Sequence, residues 1–286
     1  MKCGLYIPNF GSYGEAAVVA ALACDAEAAG WDGLFLWDHV AGWDQPLVDP
    51  WVALTAAAVA TTRLRLGTTV TPLPRRRPWK LARETVSLDR LSAGRLTLSV
   101  GIGLGEAEWD DLGEEPDLRT RGAMLDEGLE VLTGLWTGAP FSYEGAHYSV
   151  AGATFRPIPV QSPRIPVWVG GFWPNKAPFR RMARWDGMFP LFGEAETREQ
   201  ELEQLREAVA YVMEHRNAAG PFDVVCSGVT PGERPDEAGE IVAQYAAAGA
   251  TWWLEPIAPY RLGLGFDDTW PTEQLRERVL QGPPPC

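Results

Sequence analysis

From end to end the chain alternates short apolar strands with amphipathic helices, and this alternation constrains the fold more than any other feature. Residues 2–8 read as a strand. Residues 14–29 read as an Ala-rich helix stopped by Gly30. Gly33 to Trp37 is a short apolar run, hence a buried strand, and 50–62 is helical again. Leu64 to Val70 is a β-branched strand, and Pro78 opens a helix that Gly94 closes. Arg95 to Val100 is the fourth strand, followed by a helix over 119–136. Strands at 165–169, 187–189, 222–226 and 251–255 complete the series, with helices at 176–184, 236–248 and 272–281. Thr197 and Gln200 form a capping-box pattern ahead of a long helix to His215. Eight strands, each followed by a helix and with no linker between them, predict an α/β fold: one (β/α)₈ barrel domain over 1–286. An open doubly wound sheet shares the alternation, but the strand count favours closure. The length suits, since such barrels routinely reach ~250 residues or more. Residues 138–164 break the rhythm with Gly, Pro and alternating segments, and predict a surface insertion with a hairpin between strands 4 and 5.

Charge and composition narrow the function. Twenty-five Lys and Arg against 38 Asp and Glu give a formal charge of −13. Such a balance opposes nucleic-acid binding, which relies on cationic side chains to neutralise phosphates, and docking on anionic lipid. No stretch approaches the ~18 apolar residues of a membrane span, and Pro8 interrupts the N-terminal apolar run too early for a signal peptide. Cys3, Cys24, Cys226 and Cys286 are scattered, without zinc spacing, and read as free thiols of a cytoplasmic protein. With only three His, a metal-dependent barrel hydrolase lacks ligands, and no metal site is expected. The 13 Trp suggest large flat surfaces, in the core or around a planar ligand.

A barrel works at the C-terminal ends of its strands. By that rule the candidates are Asn9 after strand 1, Asp38 and His39 after strand 2, Thr69 and Val70 at the end of strand 3, and Gly101 and Gly103 after strand 4. Gly170, Gly171 and Lys176 follow strand 5, and Glu255 ends strand 8. His39 is the only His at such an end, and imidazole is the side chain best suited to proton transfer near neutral pH. It is therefore the expected catalytic residue, oriented by Asp38. A His bonded to a loop backbone is the plain alternative. His147 and His215 read as solvated. The glycines after strand 4 run G-x-G-x-G, which is not a dinucleotide fingerprint. They suit either close backbone approach to a ligand or a simple turn. Gly170 and Gly171 precede a helix carrying Lys176, Arg180, Arg181 and Arg184, which predicts an anion site at the loop and helix start. Trp37, Trp43, Trp51, Trp79, Trp109 and Trp173 fall near top-face loops and could wall a planar pocket, although core packing explains any one of them. Glu106, Glu108 and Asp110 after strand 4 could be general bases, but acids in such loops are usually solvated.

One longer block, Pro78-Trp79-Lys80-Leu81-Ala82-Arg83-Glu84-Thr85-Val86-Ser87-Leu88-Asp89-Arg90-Leu91-Ser92-Ala93-Gly94-Arg95-Leu96, is followed by Val100-Gly101-Ile102-Gly103. Together with Pro166 to Gly171 and Gly249 to Trp253, it resembles the luciferase-like monooxygenase superfamily of flavin- and F420-dependent oxidoreductases. The resemblance covers nearly the whole chain. It implies a homodimeric barrel and a flavin-type cofactor, F420 or FMN, at the strand C-termini. The cofactor's phosphate side would lie at the loop after strand 5, and the segment Thr68-Thr69-Val70-Thr71 would support its ring, often with a non-proline cis peptide. Trp37-Asp38-His39 is similar to a Ser-Asp-His pattern of F420-dependent members, with Trp in place of Ser, and tilts the cofactor slightly towards F420. The implied activity is hydride transfer or monooxygenation on a small organic substrate, with a separate cofactor reductase as a partner. A non-catalytic flavin-binding protein on the same fold is the competing reading.

Overall fold

All the expected barrel strands form, the third in two pieces. A computed structural model describes every residue except Trp43, Gly105, Glu194 and Cys286, and leaves out the side chains of Glu106 and Ala107. The strands are β1 (Lys2–Ile7), β2 (Gly33–Leu36), β3 (Arg65–Thr68), β4 (Thr71–Pro72), β5 (Leu96–Gly101), β6 (Phe141–Glu144), β7 (Ser149–Ala153), β8 (Val167–Phe172), β9 (Gly187–Leu191), β10 (Asp223–Ser227) and β11 (Trp252–Pro256). Their order runs β3-β2-β1-β11-β10-β9-β8-β5, all parallel. Leu66 and Gly67 of β3 then pair with Leu96 and Thr97 of β5 and close the barrel. An open sheet is thereby excluded. The third barrel strand resumes as β4, where Thr71 and Pro72 pair with Val100 and Gly101. Between the two pieces the Thr69–Val70 peptide is cis, at the segment where the resemblance implied one.

The helices are α1 (Ala16–Ala29), α2 (Pro50–Ala60), α3 (Pro78–Leu91), α4 (Glu106–Asp110), α5 (Leu118–Trp136), α6 (Lys176–Met182), α7 (Arg198–His215), α8 (Pro235–Ala247) and α9 (Thr272–Leu280). Their ends follow local chemistry. Asp49 accepts from the backbone of Trp51 and Val52 at 2.9 and 3.0 Å, with Pro50 in the first turn of α2. Such a cap contributes about 1 kcal/mol. Thr197 and Gln200 form the expected capping box on α7. Gly30 ends α1 at φ +94°, a conformation that favours glycine.

Two of the tryptophans, Trp168 and Trp252, sit inside the barrel. Phe35, Trp168, Phe189, Val225, Trp252 and Leu254 fill its lumen, with Tyr6, Val70 and Leu191 packed against them. Phe35 stacks on Trp168 at 5.0 Å between ring centroids, and Trp252 meets both edge-on. Burying each such ring stabilises the barrel by roughly 2–3 kcal/mol. Space for them comes from small neighbours: a Cβ on Gly33 would lie 2.8 Å from Phe35, and one on Gly187 2.5 Å from Trp168. Residues 138–164 carry the antiparallel pair β6–β7, tied to α3 where Arg83 donates to the Arg156 carbonyl and Asp89 accepts from Val160 and Gln161.

Cys24 and Cys226 are free, as expected, but Cys3 is disulfide-bonded, which corrects the expectation of a free thiol there. Cys286 lies outside the described residues. Among the described residues no helix is long and apolar enough to cross a membrane.

Candidate active site

The loop after β2 is fastened from three directions. Asn9, fully buried after β1, donates to the carbonyls of His39 and Val48 at 2.8 Å each and accepts from the His39 N–H. Asp38 turns away from His39. Its carboxylate accepts from Thr71 at 2.8 Å and from Arg76 at 2.6 Å, and its carbonyl accepts from Arg75. The expectation that Asp38 orients the imidazole is therefore corrected. Asp38 instead ties the His39 loop to β4 and the turn after it.

The group at the imidazole is Glu108 of α4. Its Oε2 lies 3.3 Å from His39 Nδ1 and 3.0 Å from Arg75, while Oε1 accepts from the N–H groups of Val40 and Ala41. Burial acts to raise this carboxyl. The hydrogen bonds from His39 and Val40 and the charge of Arg75 outweigh it and hold the carboxyl at about 2, against an ordinary 4.5. Glu108 is thus a buried, permanently charged acceptor rather than a solvated loop acid. A charged acceptor is best met by a donor, so the carboxylate favours a proton on Nδ1 of His39. Phe10 and Trp37 meet the imidazole edge-on at 6.3 and 5.8 Å between centroids, and its side chain remains 23% exposed.

The glycines make room for the protein's own side chains. A Cβ on Gly101 would lie 2.7 Å from Val70, and one on Gly170 2.8 Å from the other methyl of Val70. Val70 is therefore wedged between β5 and β8 at the barrel mouth. Gly103, at φ +85°, would strike Trp109, and Gly171 would strike Pro178. The basic residues of α6 are committed elsewhere. Lys176 stacks over the rings of Trp173 and Tyr211, Arg180 donates to the Tyr211 hydroxyl, and Arg181 and Arg184 pair with Asp126.

Of the six singled-out Trp, Trp37 is half-buried at the mouth beside Tyr6 and His39, and Trp109 is buried behind Glu108. Trp51 and Trp173 are core residues, Trp79 packs edge-on against Tyr148, and Trp43 lies outside the described residues. The Glu106 side chain is also undescribed, and Asp110 is exposed. Glu255 is fully buried among Thr230, Trp253, Arg261 and Arg278, where it fastens the last loops. Sequence reasoning missed Arg75 and Arg76, although a run of three arginines in a strongly acidic chain was the available signal.

Two features suit a flat ring at the mouth. The hydroxyls of Thr69 and Ser99 are buried with no hydrogen-bond partner among the described residues, beside Val70 and two residues before Gly101. Exposed apolar side chains, among them Leu104, Phe172, Val229 and Tyr260, stand in the strand-end loops. Fold and site together define a closed parallel barrel with its polar chemistry gathered at the mouth.

The chain belongs to the luciferase-like monooxygenase family, whose model matches residues 1–277. It is 36% identical over 157 residues to the F420-dependent glucose-6-phosphate dehydrogenase of Microbacterium testaceum, a match covering 52% of this chain and 45% of that protein. The chain spans about half the length of the curated relatives it matches. Its fold superposes with a TM-score of 0.75 on the F420-dependent tetrahydromethanopterin reductase of Methanopyrus kandleri, at 18% identity and covering 99% of this chain and 98% of that one. The same score and coverage hold at 17% identity for the FMN-bound oxygenating constituent of 3,6-diketocamphane monooxygenase from Pseudomonas putida.

Proposed function

We propose that the chain is an oxidoreductase that uses F420 or FMN, F420 slightly favoured, on a small organic substrate. The observation that carries this reading is the His39–Glu108 pair in the strand-end loops of a barrel whose Val70 is wedged between Gly101 and Gly170. Its family and its F420-dependent relative support it. In this reading Val70 and the Thr69–Val70 backbone support the cofactor ring, and Gly101, Gly103, Gly170 and Gly171 shape the wall around it. Asn9 and Asp38 hold the His39 loop, and Lys176 lies at the rim. When bound and reduced, the cofactor supplies a hydride or electrons.

The chain's own residues do the rest. In this reading Nδ1 of His39 faces the Glu108 carboxylate, and Nε2 is the nitrogen that exchanges a proton with cofactor or substrate. Trp37 and Phe10 exclude water from one side of the imidazole. Arg75 helps keep Glu108 charged. The chain works as one barrel domain, 138–164 being its insertion, in a cytoplasmic homodimer served by a separate reductase. The reading is tested by titrating the purified protein with F420 and FMN separately and following absorbance. Micromolar affinity for one of them, F420 first, is expected, and absence of binding by both would overturn it.

A further inference from the structure

The alternation of β2 continues past its last residue. Phe35 fills the lumen and Leu36 packs outside it, so Trp37 falls on the lumen side, one layer higher. Its backbone N–H donates to the Ile7 carbonyl at 2.9 Å and extends the β1–β2 ladder. Its ring lies 5.3 Å from that of Tyr6, which itself packs against the lumen cluster. Three more rings hold the indole in place: Phe10, His39 and Phe266 meet it edge-on at 6.0, 5.8 and 5.6 Å between centroids.

The indole N–H of Trp37 is buried and finds no acceptor among the described residues. A donor that has lost its water and gained no partner is costly, so such a group calls for something that accepts from it. Trp51, Trp109 and Trp185 leave the same atom without an acceptor, but their settings differ. Trp51 is a core residue of α2, and guanidinium groups lie over Trp109 and Trp185. Trp37 is the one of the four whose ring meets the imidazole of His39. Its layer holds a second unused donor. Continuing the Leu36–Thr68 register by one residue sets Trp37 across from Thr69, whose N–H bonds the Leu36 carbonyl and whose hydroxyl is buried without a partner.

We propose that Trp37 is a specificity-determining residue: its indole N–H donates to an oxygen of a neutral, largely apolar small substrate. A neutral donor framed by aromatic rings suits an uncharged ligand, since a charged one would lose its hydration there without a counter-charge on the indole. The acceptor oxygen would stand within roughly 11 Å of the imidazole centre, the 5.8 Å between the rings extended by half an indole and one hydrogen bond. A small organic molecule spans that distance. This assignment rests on reading the mouth as the active site.

The test uses acetophenone and ethylbenzene, which share a phenyl ring and a two-carbon chain and differ by the carbonyl oxygen. Each is titrated into the cofactor-free and the cofactor-loaded protein carrying isotope-labelled tryptophan, and the Trp37 indole N–H resonance is followed by NMR. Acetophenone is expected to move it downfield saturably, and ethylbenzene is not. No saturable shift with acetophenone, or the same shift with ethylbenzene, overturns the proposal. Trp37→Phe keeps a ring and removes the N–H. By equilibrium dialysis it should weaken acetophenone binding by roughly three- to tenfold, the size of one neutral hydrogen bond, and leave ethylbenzene binding within about twofold. Equal effects on both compounds overturn the proposal. If the variant fails to fold, through-bond assignment of the wild-type resonance keeps the titration decisive. A downfield shift produced by F420 or FMN alone, to which acetophenone adds nothing, would assign the N–H to the cofactor and overturn the substrate assignment. If a cofactor binds and Trp37 does not respond to acetophenone, this proposal alone fails. If Trp37 responds and neither cofactor binds, the acceptor site stands and the oxidoreductase reading fails.

Discussion

Replacing Glu108 by Gln isolates the charge at the centre of the mouth with little change of shape. In the folded protein the carboxyl sits at about 2, against an ordinary 4.5. Each pKa unit is worth about 1.4 kcal/mol, so a charged Glu108 holds on the order of 3 kcal/mol of stability. Because the folded value is the lower one, this stability is fully present above about pH 4.5 and is lost as pH falls towards 2. The variant never carries the charge, so it should lose about 2–3 kcal/mol at pH 7 and much less at pH 3. Urea unfolding at both pH values measures this, and a gap that stays the same at pH 3 would refute the argument. Turnover should also fall by at least about tenfold, because the imidazole loses its charged acceptor. Unchanged turnover would show that Glu108 only holds the loop.

Three other substitutions probe the same architecture. His39→Ala should leave cofactor affinity within a few-fold and lower turnover by roughly a hundredfold or more, as steady-state and binding measurements on one preparation would show. Gly101→Ala places a methyl 2.7 Å from Val70 and should cost about 1–3 kcal/mol in thermal unfolding, partly recovered when Val70→Ala is added. Glu255→Leu strands the buried Arg261 and Arg278 and should cost about 3–5 kcal/mol by denaturant unfolding; a variant as stable as wild type would remove this cluster from the fold's support.

The barrel was legible because its information is local and repeated. Strand periodicity, helix caps and terminal glycines each act within a few residues, and Thr197 and Gly30 do in the structure what their spacing predicts. His39 was legible for the same reason, since position on a strand end is itself a local property. Its partner was not. Glu108 lies 69 residues away, in the segment after strand 4 where the sequence suggests a solvated acid, and only the closed barrel shows that its oxygens face the His39 loop. Asp38 misled because adjacency in sequence suggested contact, whereas successive side chains leaving a strand point to opposite sides. The glycines misled differently. A glycine records that something comes close, but not whether that thing is a ligand or, as at Gly101 and Gly170, a valine of the same chain.

The indoles packed in the lumen give the protein an optical property. Trp168 and Trp252 lie directly beneath the mouth, in contact with Phe35 and under Tyr6 and Val70. Indole emission falls where flavin-type rings absorb, and energy passes between such groups efficiently over short distances. A ring resting on Val70 would therefore darken these tryptophans without any conformational change. Ultraviolet excitation of the unlabelled protein then reports occupancy of the mouth directly, with the barrel's own packing as the lamp.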